Sequence, residues 1–429
     1  MPFSADQPST QPQLQACPGC GLLQSVPPLT HGMSAVCSRC PTRLLRAASH
    51  QFDQTIALTV AALVLLSIMC TTTLMGVQTA GIALQAGLFS GPAELVHRGM
   101  SGLAVVVVFV TAVAPFGKLA GTLYVLIRLR EVSPPPHVRR VFILAEKLRP
   151  WSMIEVFVFG VFVAYVKLGD LVQIRLEPGV YALLALTVVV IWADSALDRE
   201  AVWDRLDPRD PISVSAAGET AFREKGLAIG CETCGLVSVP TIDHPRCPRC
   251  EATLHPRKPD SISRTWALVI AAIVLYIPAN VYPVLTVVQL GAGAPSTILG
   301  GVQELVESGM YPLAALVFFA SIAVPMLKLV GLSFMLIATQ TGHTGWLRDR
   351  TRLYHIVRWI GRWSMIDIFM EALLGALVRF GSVVTIEPGI GAVAFCAVVI
   401  LTIIAAEIFD PRLMWDASAR SAASHAATA

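Results

Sequence analysis

Charge is what this chain has least of. Of its 429 residues only 14% are Asp, Glu, Lys or Arg, while 55% are apolar; soluble domains carry about 25% charge. A set of ordinary soluble domains is therefore excluded. The net charge of +3 carries little information, and no nucleic-acid partner is expected. No GxxxxGK[ST] phosphate loop occurs, since Gly117-Lys118 is followed by Leu119, so the chain is not itself a P-loop ATPase, and it is not expected to be an enzyme. No histidine falls in the middle of an apolar run, which removes the usual ligands of haem b. The N-terminus is polar and proline-rich, so no cleavable signal peptide is expected.

What the chain has instead is long apolar runs. Eight spans are expected, at about 56–75, 102–127, 152–168, 179–197, 266–288, 312–339, 364–380 and 389–408; the fourth is short for a hydrocarbon core of ~30 Å. Lys and Arg set the orientation. One side collects Arg39, Arg43, Arg46, Arg128, Arg130, Arg139, Arg140, Lys147 and Arg149, ten more between Leu197 and Thr265, then Arg348, Arg350, Arg352, Arg358, Arg362, Arg412 and Arg420. The other side holds only Arg98, Lys167, Arg175 and Arg379. This positive-inside bias predicts that both termini are cytoplasmic. No segment on the outer side is long enough for a sizeable domain, so anything carried away there needs another protein to receive it.

The chain also repeats itself. Gly91-Pro-Ala-Glu94-Leu-Val matches Gly301-Val-Gln-Glu304-Leu-Val, and Pro115-Phe-Gly-Lys118-Leu matches Pro325-Met-Leu-Lys328-Leu. Trp151-Ser-Met-Ile-Glu155 matches Trp363-Ser-Met-Ile-Asp367, Glu177-Pro-Gly matches Glu387-Pro-Gly, and Trp203-Asp matches Trp415-Asp. Order and separation are kept, and each copy crosses an even number of times, so the repeats are parallel. Basic stretches before the third and seventh spans place Val138, Val141, Phe142, Ala145 and Leu148, and Leu353, Ile356, Val357 and Ile360, on single helical faces. They read as helices lying on the inner membrane surface, with lipid-headgroup sites as the less favoured alternative.

Four-cysteine clusters occur twice: Cys17, Cys20, Cys37 and Cys40, then Cys231, Cys234, Cys247 and Cys250. Paired CxxC knuckles offer four thiolates to one tetrahedral ion, and the glycine after the second cysteine suits a tight knuckle. A closed structural Zn2+ site is the first reading, rubredoxin-like iron the second. Thiol redox chemistry lacks the βαβ context it needs. His31 and His244 lie between knuckles, but the cysteines already fill each site. Cys70 and Cys396 sit within spans as small packing residues.

Charges inside spans cost something like 2.5–3.5 kcal/mol and need a reason. Lys118 and Lys328 follow Pro115 and Pro325, where a missing backbone donor predicts a kink. Ser152 with Glu155, and Ser364 with Asp367, enter the following spans from the same side, so each acid is expected to meet its lysine. A structural ion pair and a proton or substrate relay are both open readings, the plain pair being preferred in the first half. The second half adds Ser321 and Thr402, where the first has Thr111 and Val190. It also has Pro278-Ala-Asn280 and Pro283 in its first span, read as a broken helix of the kind that marks binding sites.

These doubled clusters, with Ile277-Pro-Ala-Asn280, Val324-Pro-Met-Leu-Lys328 and Gly361-Arg-Trp-Ser-Met-Ile-Asp367, resemble the paraquat-inducible protein A family (PqiA/LetA-like) of bacterial inner-membrane proteins. On the second-half polar set, LetA-like members look nearer. The resemblance covers Cys17 to Asp416. It implies an inner-membrane lipid transporter or loader that passes phospholipid or a similar amphiphile to or from a periplasmic MCE-domain tunnel partner. Coupling to protons would run through Ser321, Lys328, Ser364, Asp367, Thr402 and Asn280, with Lys118, Ser152 and Glu155 as first-half counterparts. The alternatives are a redox-active membrane protein and a non-transporting scaffold. The expected fold is an all-α membrane protein of two parallel four-helix units, each preceded by a small cytoplasmic zinc ribbon. Expected boundaries are 1–50 and 201–260 for the ribbons, the latter with its linker, 51–200 and 261–416 for the bundles, and 417–429 for a disordered tail.

Overall fold

A computed structural model describes residues 13–30, 32–46, 52–79, 82–131, 134–169, 173–207, 228–238, 246–289, 292–377 and 384–428. His31, His244, Arg379, much of the central linker and the end of the seventh expected span lie outside the described residues. Helix dominates because a chain in lipid must satisfy every backbone N–H and C=O within its own segment. The first half holds α1 (Phe52–Thr71), α2 (Ser90–His97), α3 (Ser101–Arg128), α4 (His137–Leu148), α5 (Ile154–Gly169), α6 (Pro178–Ala196) and α7 (Arg199–Leu206). The second holds α8 (Ser261–Val281), α9 (Ile298–Glu307), α10 (Tyr311–Gln340), α11 (Leu347–Ile360), α12 (Ile366–Leu377), α13 (Ile390–Ile408) and α14 (Arg412–Thr428).

Seven helical stretches among the described residues are long and apolar enough to cross a membrane. The seventh of the eight expected spans is not among them. Its helix, α12, has 12 residues, about 18 Å at ~1.5 Å per residue, and residues 378–383 beyond it are not described. The chain is nonetheless a multi-pass membrane protein by these seven.

The all-α expectation needs correcting on the face away from the cysteine clusters. There β5 (Thr73–Thr79), β6 (Ile82–Gly87) and β7 (Gln173–Leu176) form an antiparallel sheet in the order β6-β5-β7. Its counterpart is built from β10 (Leu285–Gln289), β11 (Ala292–Ser296) and β12 (Val384–Pro388). Each sheet ties the exit of a half's first long helix to the segment before its last. The helix read as broken at Pro278 is continuous to Val281 and stops short of Pro283.

Pro115 and Pro325 act differently from a simple kink. The turn before each is π-helical, at Phe109–Val113 in α3 and Phe319–Ala323 in α10. Widening the turn accommodates the proline ring and its missing N–H without breaking the helix. Thr111 and Ser321 sit buried within these turns.

The two halves pack on one another through α12. Its main neighbours are α5 and α2 of the first half, with Phe157 and Phe369 edge to face at 5.4 Å. Two glycines make the approach possible. A Cβ on Gly160 would stand 2.7 Å from the Phe369 Cβ, and one on Gly91 2.7 Å from the Ala372 carbonyl oxygen. One buried apolar cluster accordingly runs from Leu66 and Phe157 to Phe369 and Phe395.

The cysteine modules dock crosswise. The first, with β1 (Gln13–Ala16) paired to β2 (Leu23–Val26) and β3 (Ser34–Val36) paired to β4 (Arg43–Arg46), packs its cysteines on Trp415 and Leu347 of the second half. Arg39 stacks over the Trp415 ring at 4.4 Å, and Arg348 Nε donates to the Arg39 carbonyl at 3.1 Å. The second module, with β8 (Ile229–Gly230) paired to β9 (Val237–Ser238), packs on Val125, Phe142 and Trp203 of the first half. Arg139 Nη1 donates to the Arg249 carbonyl at 3.2 Å, and Arg249 pairs with Asp204. The repeated tryptophans are thus equivalent docking posts. The tail expected to be disordered continues helix α14 to Thr428, with Ala417 and Ser418 buried.

Candidate functional site

Lys328 lies one turn past the π-turn of α10 and is 1% exposed. It does not snorkel to the surface. Its ammonium donates to Thr402 Oγ1 of α13 at 3.0 Å, and that hydroxyl donates on to the Val399 carbonyl at 2.9 Å. Among the described residues Lys328 makes no ion pair with a carboxylate within 4.0 Å, so the expected meeting with Asp367 does not occur at that range. Ser321, Ser364 and Asp367 are all buried. Ser364 Oγ has no hydrogen-bond partner among the described residues. It sits in the 3-10 turn Gly361–Met365 that leads into α12. Asn280 stands apart from this set, because its amide donates to the Tyr276 carbonyl of its own helix at 2.8 Å.

The first half resolves the same lysine differently. Lys118 donates to Asp194 of α6 at 2.7 Å, with Arg149 3.9 Å from the same carboxylate. Glu155, the acid expected to meet it, faces Arg362 across the boundary between halves at 3.5 Å. Ser152 is buried nearby. Asp194 is not among the partners expected from the sequence. The matched position in the second half is Ala406, so one half supplies a carboxylate where the other supplies a methyl group. A lone acid late in the apolar run of α6 was the available signal.

The cysteine clusters are compact. Sγ atoms stand 3.4 and 3.6 Å apart for Cys17–Cys40 and Cys20–Cys37, and 3.5 Å for Cys231–Cys250 and for Cys234–Cys247. Within each cluster all ligand atoms lie within 4.8 Å of one another. A tetrahedral ion with metal–sulfur bonds of ~2.3 Å needs thiolates about 3.8 Å apart, so both sets fit a metal ion. Cys40 Sγ and Thr42 Oγ1 are hydrogen-bonded at 3.2 Å, and Thr42 bonds His355 Nε2 of α11 at 3.0 Å. A two-bond path therefore joins the first cluster to the second half. Burial, helped by neighbouring Arg358, pushes the His355 imidazole below its usual range, which suits a neutral ring sharing one hydrogen bond with a hydroxyl.

Comparison with known proteins places this architecture. The Paraquat-inducible protein A family model matches twice, over residues 52–207 and 262–419. The intermembrane transport protein PqiA of Escherichia coli K12 is 34% identical over 406 residues, covering 93% of this chain and 95% of the relative. The lipophilic envelope-spanning tunnel protein A of the same strain is 30% identical over 403 residues, 94% and 91%. A probable intermembrane transport protein of Haemophilus influenzae is 26% identical over 416 residues, 93% and 95%. Overall identity is thus higher to PqiA than to the tunnel protein, the reverse of the order expected from the second-half polar set. No solved structure matches the chain. With a family model matching both halves and relatives aligned over nearly its whole length, the chain belongs to the paraquat-inducible protein A family.

Proposed function

We propose that this chain is a non-enzymatic carrier of the bacterial inner membrane that moves phospholipid or a similar amphiphile between the bilayer and a periplasmic MCE-domain tunnel partner. In this reading it comprises two parallel four-helix units, with both termini and both cysteine modules cytoplasmic. The modules hold structural zinc, and the second unit does the carrying. Names of relatives as intermembrane transport and envelope-spanning tunnel proteins support the transport role.

The observation that carries the reading is the unequal fate of two matched lysines. Lys118 is neutralised by Asp194, whereas Lys328, buried more completely, leans on a neutral hydroxyl. A buried ammonium with no carboxylate within 4.0 Å among the described residues is costly. It is also the group able to meet the phosphate of a passing amphiphile or to release its proton. Ser364, whose hydroxyl has no partner among the described residues, lies in the turn that leads into α12. The test is genetic and biochemical together. In cells lacking their own copy, Lys328→Ala and Asp367→Ala should abolish envelope-barrier complementation at normal membrane levels. Full complementation by both would leave a scaffold. Purified protein should be colourless and zinc-loaded; red, iron-loaded protein would favour the redox alternative.

A further inference from the structure

A second charged site lies apart from Lys328, between the halves at the end that bears the cysteine modules. A cavity of about 390 Å³ opens there, within the ~300–1,000 Å³ usual for ligand pockets. Its walls carry four cations (Lys118, Arg149, Arg358, Arg362) and three carboxylates (Asp194, Glu155, Glu407), an excess of one positive charge. The pairs differ in quality. Lys118–Asp194 is tight at 2.7 Å, and Arg358 grips Glu407 with two bonds of 2.8 Å. Arg149 from the first half and Arg362 from the second touch their carboxylates only at 3.9 and 3.5 Å, leaving most of their forked donors without a partner among the described residues. Each precedes the start of a helix, α5 or α12, whose first N–H groups favour an anion.

We propose that this cleft binds the phosphate headgroup of an anionic membrane phospholipid, held between Arg149 and Arg362. Guanidinium forks suit phosphate oxygens, and basic pockets between membrane helices are established headgroup sites. The lipid source, rather than free phosphate, follows from the rim. Trp359 lines the cavity and is 60% exposed, with Ile356 one turn back also exposed, giving an acyl chain an apolar face beside the charged cleft. This rests on the membrane-carrier reading but makes a separate demand, a lipid site that does not involve Lys328.

Full-length protein in detergent is incubated with phosphatidylglycerol bearing a photoreactive acyl chain, and labelled peptides are mapped. Labelling should fall on the segment containing Ile356 and Trp359. Arg149→Gln and Arg362→Gln should each weaken half-saturation on the order of fivefold, the effect of about 1 kcal/mol per basic side chain. Glu155→Gln removes the anion competing for Arg362 and should tighten it severalfold. That direction distinguishes a headgroup site from a structural ion pair even if the arginine variants fold poorly. Unchanged labelling in Arg362→Gln and Glu155→Gln overturns the proposal. Equal displacement by millimolar inorganic phosphate and by unlabelled phosphatidylglycerol overturns the lipid assignment. Lys328→Ala should label normally, so a failure of carriage at Lys328 and a failure of this site give different results.

Discussion

Removing the carboxylate of Asp194 tests the idea that the first half is neutralised and structural. Lys118 is 8% exposed at the side chain and Asp194 28%, so the pair is largely but not wholly out of water. Breaking a fully buried pair from one side costs roughly 3–5 kcal/mol. Here Asn at position 194 keeps an acceptor, and partial solvation softens the loss, so Asp194→Asn should cost about 2–3 kcal/mol. Removing both charges leaves nothing stranded. Arg149, the third member of the cluster, is exposed enough to turn toward solvent. Lys118→Met with Asp194→Val should therefore recover most of that loss, since apolar replacements of buried pairs are often neutral. Thermal unfolding of the purified protein in detergent, run as a double-mutant cycle, reads the coupling. The double variant should also retain barrier function, in contrast to Lys328→Ala. An Asp194→Asn protein as stable as the parent, or a double variant no better than the single, would refute the reasoning.

Three further outcomes follow from the same geometry. Ala406→Asp places in the second half the carboxylate that the first half has; it should draw Lys328 from Thr402, preserve or raise thermal stability and abolish barrier function, read by melting and complementation. Cys17→Ser or Cys40→Ser should leave one metal ion per chain by elemental analysis, with hydrogen exchange rising in α11 and α14 of the second half more than in α4 and α7 of the first. Burial, reinforced by Asp204 and Asp198, pushes Glu200 from 4.5 up to about 7, where it accepts from Gln15 Nε2 at 3.0 Å. The folded chain then keeps a proton that the unfolded chain has lost, so the stability that comes from burying Glu200 in its neutral form should be full below about pH 4.5 and fall as pH rises toward 7. Glu200→Gln should flatten that dependence in proteolysis of the first module measured between pH 4.5 and pH 7.

Local signals in the chain carried a good deal of this architecture. Apolar runs gave the long helices, and the doubled CxxC pairs gave two clusters whose sulfurs converge. Apolar runs overreached at their outer ends. Residues up to 75 and 288 read as helix, yet α1 ends at Thr71 and α8 at Val281, with strands following. A β-branched apolar run does not say which period it will adopt; Thr71-Thr72-Thr73 and Pro283 were the better guides. The partner of Lys118 was illegible for another reason. Lys118 and Asp194 are 76 residues apart, and adjacency in sequence favoured Glu155, which the packing of α5 against α12 turns toward Arg362. The repeat gave equivalence of positions but not of partners. Asp194 opposite Ala406, and Val190 opposite Thr402, are small differences with large electrostatic effect.

Crosswise docking has a consequence for how such a molecule arises. Each cysteine module finds its tryptophan post on the opposite half, so neither half is complete by itself. A one-bundle forerunner would have had such a post only for a module lent by a second copy, forming a dimer by reciprocal exchange. Joining the two copies end to end would make that exchange permanent and leave the bundles able to diverge where one has Asp194 and the other Ala406.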